Sequence, residues 1–80
     1  NPIMMTEQFK AMKLKELFAK EECKETVYTM APPLGKFPLA LVANKTAGEI
    51  FELAVTAKLI PVETRDALVE KLQQQLGLIE

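Results

Sequence analysis

Histidine is absent from these 80 residues, and cysteine occurs once, as Cys23. The first absence removes the commonest general base and the usual partner of a serine or cysteine nucleophile. Together the two absences remove the nitrogen and sulfur donors that a structural zinc site requires. One cysteine cannot close a disulfide within the chain. Nothing therefore points to a thiol-oxidising compartment, and a reduced cytoplasm is the expected location. Apolar runs of roughly 18 residues, long enough to cross a bilayer, are also missing. The opening residues lack the basic region, apolar stretch and small-residue cleavage site of a secretory leader. Calcium ligands at twelve-residue-loop spacing are not found either. Pro32-Pro33-Leu34-Gly35-Lys36 superficially suggests a phosphate loop, but it lacks the two spaced glycines and the following Ser or Thr. No cofactor and no metal are expected.

A strong charge of one sign is missing too. The net charge is −1, and its distribution is only mildly uneven. Residues 1–46 carry seven lysines against five glutamates, and residues 47–80 carry three basic against six acidic groups. Lys10, Lys13, Lys15, Lys20 and Lys24 come closest to a basic stripe, but Glu7, Glu16, Glu21 and Glu22 are interspersed among them. A nucleic-acid binder needs a stripe that neutralises several phosphates, so a mixed, solvated helix face is the better reading.

The residues that are present describe a folded helical chain. The composition is 49% hydrophobic and 26% charged, an ordinary globular balance. A chain this short forms one domain and buries only about 60–65% of its unfolded surface, so its core is thin. Such cores are commonly reinforced by disulfides, a metal or a second subunit. With the first two excluded, self-association is expected.

Residues 6–22 read as one helix. Thr6 can cap its first turn, Glu7 suits the positive end of its dipole, and the body is rich in Ala, Lys, Leu, Glu and Met. Glu16 and Lys20 fall one turn apart in the favourable order. The apolar residues, however, form two sets. Met5, Phe9 and Met12 lie on one side, whereas Leu14, Leu17 and Phe18 lie nearly opposite at 100° per residue. One buried face needs only one set.

Residues 25–30 favour a strand, through Thr, Val and Tyr. The stretch 31–38, with three prolines and a glycine, breaks any helix and reads as the connection between an N-terminal arm (1–30) and a C-terminal helical pair (39–80). Residues 39–60 admit two readings. One is a single long helix opened by Pro38, with Leu39, Val42, Ala43, Ala47, Ile50, Leu53, Ala54, Ala57 and Ile60 on one broad face and Phe51, Val55 and Leu59 further round. The other makes Leu39 to Ala43 a short strand paired with 25–30, and starts the helix at Thr46 with the capping box Thr46-x-x-Glu49. The long helix accounts for more apolar positions and is the expectation. Pro61 ends it. A second helix over 63–76 carries the stripe Leu68, Val69, Leu72 and Leu76, closes at Gly77, and folds Leu78 back toward Leu72. The short connection makes the two helices an antiparallel or steeply crossed pair. The predicted fold is thus mainly α, with an α+β variant carrying a small hairpin over 25–43 as its alternative.

Chemistry is harder to place. Acidic neighbours on both sides of Cys23 would raise its thiol pKa rather than activate it. Glu49 and Glu52, and Glu63, Asp66 and Glu70, project from polar faces, where no desolvating pocket separates their pKa values. An enzyme is not expected. A helix-turn-helix reading of the last two helices would rely on Arg65, Lys71, Gln73, Gln74 and Gln75, but it meets Glu63, Asp66 and Glu70 on the same helix. A non-enzymatic protein-interaction module, such as an adaptor, regulator or assembly subunit, fits better. Its contact region is expected on the opening helix and residues 25–38, through Met5, Phe9, Met12, Tyr28, Met30 and Phe37, because methionine and aromatic anchors at helical spacing suit partner surfaces. The partner would be a protein or a second copy of the chain, rather than nucleic acid or a membrane.

Overall fold

The computed structural model describes residues 5–80 as a mainly helical structure. Six α-helices run in the order α1 (Glu7–Ala11), α2 (Leu14–Phe18), α3 (Glu21–Met30), α4 (Leu39–Val42), α5 (Ala47–Thr56) and α6 (Val62–Gln75), with a 3₁₀ turn at Pro32–Lys36. Met4, the first of the four methionines, lies outside the described residues.

The single opening helix is not formed; three short ones replace it. Thr6 caps α1 as expected, its hydroxyl accepting from the Phe9 N–H at 3.1 Å. Met12 and Lys13 then turn extended, with ψ of 130° and 148°. The cause is long-range pairing. Leu14 N–H donates to the Lys45 carbonyl at 2.9 Å and Ala47 N–H to the Met12 carbonyl at 2.7 Å, an antiparallel bridge between Lys13 and Thr46. The bend also disposes of the two-sided apolar pattern. Phe9 on α1 and Leu14 and Leu17 on α2 all enter the same core, which a straight helix could not achieve. A second break at Lys20 (ψ 111°) separates Glu16 from Lys20, so the expected one-turn pair does not share a continuous helix. Glu16 instead accepts from the Lys13 N–H at 3.0 Å.

Residues 25–30 are helical rather than a strand, and no hairpin forms over 25–43. Strand propensity is overridden by burial. Cys23 and Val27 on α3 and Ala31 at its C-cap repeat every four residues and are all buried, and α3 packs against α6. Pro32 stops α3, with Ala31 pushed to φ −137°, ψ 67° ahead of it.

The long helix over 39–60 is likewise replaced, by α4 and α5. The capping box decides the start of α5: Glu49 N–H donates to Thr46 Oγ1 at 3.2 Å, and Thr46 N–H donates to Glu49 Oε1 at 3.0 Å. Leu39 to Val42 is nevertheless helical and not a strand. The buried face of α5 is Ala47, Phe51 and Ala54, so Phe51 points inward and Leu53 outward, the reverse of the expected emphasis.

The last helix agrees closely with expectation, whereas α5 already ends at Thr56, short of Pro61. Pro61 caps α6, whose Leu68, Val69 and Leu72 are buried. Gly77 adopts φ +73°, Leu78 N–H donates to the Gln73 carbonyl at 2.9 Å, and Gly77 N–H to the Gln74 carbonyl at 3.0 Å. These two bonds are the Schellman closure that glycine permits. Between α1 and α5, Phe9 stacks on Phe51 with centroids 5.9 Å apart. The Thr6 N–H donates to Oε1 of the fully buried Gln73 at 2.8 Å, tying the N-terminal helix to α6. Among the described residues, no helix is long and apolar enough to cross a membrane.

Candidate contact groove

Six large apolar side chains are markedly exposed among the described residues: Tyr28, Phe37, Leu39, Leu41, Leu53 and Val62. Four of these, Tyr28, Phe37, Leu39 and Leu53, line one groove. Its floor is buried core, with Leu14 from α2, Val27 from α3, and Phe51 and Ala54 from α5. Its walls come from separate stretches of chain: Phe18 and Tyr28 on one side, and Leu34, Phe37, Leu39 and Val42 from the 3₁₀ turn and α4.

Local packing fixes the aromatic wall. Phe18 meets Tyr28 edge-on, with centroids 5.6 Å apart and ring planes at 78°, a favourable aromatic geometry. Gly35 sits close over the same tyrosine: a Cβ there would lie 3.1 Å from Tyr28 Cδ1. A side chain at this position would have to push the ring aside. The groove encloses about 40 Å³. Metabolite pockets hold several hundred, so this one has room for the tip of an apolar side chain and no more.

The expected contact residues separate into two groups. Tyr28 (38% exposed) and Phe37 (43%) come together on the groove. Phe9 does not: it is 0% exposed in the core, so it cannot meet a partner in the folded chain. Met5, Met12 and Met30 are half-buried and pack against that core. The opening segment thus hides its central apolar side chain, and the exposed apolar surface lies elsewhere. Phe18, Leu34, Leu39, Val42, Leu53 and Leu59 are groove residues that periodicity did not pick out. A usable signal was present: Pro38 and the Thr46 capping box bracket only seven residues, too few for a helix that buries two faces.

Other reactive groups lie apart from the groove. Cys23 is fully buried. Desolvation pushes its thiol pKa up, Glu22 adds to the rise and Lys20 opposes it. Glu49 is held below its ordinary carboxyl value by the hydrogen bonds from Thr46. Asp66 pairs with Arg65 at 2.8 Å. Among the described residues, no cluster of His, Cys, Asp and Glu could hold a metal ion. The α6 side chains that a DNA reader would use are mostly engaged within the molecule. Arg65 is on Asp66, Gln73 accepts from Thr6, and Gln75 Nε2 donates to Thr26 Oγ1 at 2.8 Å. No protein-family profile, curated protein or solved structure matches this chain.

Proposed function

We propose that the chain is a non-enzymatic protein-interaction module, an adaptor, regulator or assembly subunit, that self-associates through the apolar groove and its rim. The observation that supports this reading is the convergence of Tyr28, Phe37, Leu39 and Leu53 on one groove. Scattered single exposed leucines are normal on a protein surface; contiguous ones beside an aromatic wall mark contact surfaces. Aromatic and aliphatic anchors around a small recess are also the form that interface hot spots take. A thin core without a disulfide gives a second copy something to stabilise.

Light scattering across a concentration range tests the reading, with Leu53→Asp and Val62→Asp compared. Both residues are exposed, at 46% and 44%, but only Leu53 lines the groove. Leu53→Asp is expected to weaken association about ten-fold or more, with helicity unchanged, because a carboxylate at an apolar contact must be desolvated. Val62→Asp is expected to associate like the parent. A parent chain that stays monomeric throughout, or equal effects of the two variants, would overturn the proposal.

A further inference from the structure

The wall formed by residues 36–42 is built unlike the rest of the molecule. Every residue from Gly35 to Leu41 is exposed, and the seven include Phe37, Leu39 and Leu41. Apart from the turn of α4 itself, its backbone bonds to near neighbours: Phe37 N–H to the Leu34 carbonyl at a long 3.5 Å, Leu41 N–H to the Pro38 carbonyl at 3.0 Å, and Lys45 N–H to the Val42 carbonyl at 3.0 Å. The residues flanking it make contacts with other parts of the chain. Gly35 rests on the Tyr28 ring, and the Ala43 carbonyl accepts from the Lys15 N–H at 3.0 Å. Between these two anchors Phe37, Leu39 and Val42 line the groove, and of the three Val42 packs against the buried core.

Segments with few buried apolar contacts and exposed backbone bonds open well before the whole molecule unfolds. We infer that residues 36–42 form a lid, hinged at Gly35 and Ala43, whose opening uncovers the apolar floor of Leu14, Val27, Phe51 and Ala54. Pro38 fixes one backbone angle within the lid. The inference concerns the free chain and extends the contact reading without depending on it. An open lid would add the floor side chains to the apolar surface in reach of a partner.

Thiol labelling separates local from global opening. Ala54→Cys places a thiol on the floor at a site 1% exposed, while Cys23, 0% exposed and away from the groove, serves as an internal control. Both are treated with a small disulfide reagent at dilutions below association, and each site is followed by mass spectrometry over a series of low denaturant concentrations. The introduced thiol should react at a rate nearly independent of denaturant, whereas Cys23 should react at a rate that rises with it, as global unfolding requires. Adding Leu39→Ala should speed labelling of the floor about ten-fold, still at a rate nearly independent of denaturant, because the contact it removes holds the lid closed. Should the two sites react together with the same denaturant dependence, the lid is refuted. If the Ala54→Cys chain does not fold, hydrogen exchange on the unaltered chain decides. The Leu41 amide must exchange through an opening that denaturant does not accelerate, unlike the Leu72 amide; equal protection of the two would refute the lid. Raising the protein concentration adds a separate readout: slower floor labelling supports the contact reading, and an unchanged rate counts against that reading while leaving the lid intact.

Discussion

At the scale of single residues, Phe9 and Phe51 carry more of the fold than any exposed side chain. Both are 0% exposed and stack across α1 and α5. Phe9→Ala is expected to cost about 3–5 kcal/mol, a large share of the stability of so short a chain. Met12→Ala, at a half-buried position, should cost clearly less. Denaturant melts of the two variants check this; similar small losses would mean that Phe9 is not core. The sequence pattern placed Phe9 on a surface because the helix was taken as straight. Its true partner is 42 residues away, and helical spacing carries no information about such a contact. Tyr28 and Phe37 are exposed, at 38% and 43%, as a contact residue must be.

Among the elements, local signals succeeded where they were strong, and failed where a long-range bond competed. Pro61, the Leu68–Val69–Leu72 stripe and Gly77 fixed α6 to within a residue of its observed limits. Thr46 and Glu49 were equally explicit, yet the apolar count over 39–60 argued for a longer helix. The capping box prevailed because it satisfies two otherwise unpaired backbone N–H groups at the point where Ala47 also bonds to Met12. The break at Met12–Lys13 had no comparable local cue, since its cause is the Lys13–Thr46 bridge. The cap makes a pH prediction. The Glu49 carboxyl is lowered from 4.5 by the Thr46 backbone and side-chain hydrogen bonds. A depressed carboxyl contributes stability that is in place above its unfolded pKa and is lost as pH falls through the folded value. The melting-temperature gap between the parent and Glu49→Gln should therefore shrink between neutral pH and about pH 3. A gap that stays constant over that range would show that the charge on Glu49 plays no part in the cap.

For the whole molecule, the arrangement follows from a short chain that bends twice at its N-terminal end to fill one core. That economy leaves residues 35–41 exposed, with Phe37 and Leu39 on the groove. Their apolar side chains are consequently shared between the molecule's own floor and the solvent, and a second copy is proposed to cover them. The exposed apolar surface thus lies on the opposite half of the expected contact region, around Tyr28 and Phe37 and not around Phe9. Amide chemical shifts of the unmodified chain, followed by NMR over a dilution series, test this most directly. Concentration-dependent shifts are expected, confined to Phe18, Tyr28, residues 34–42, Leu53 and Leu59. Spectra that do not change with concentration, or shifts gathered on α1 or α6, would contradict it.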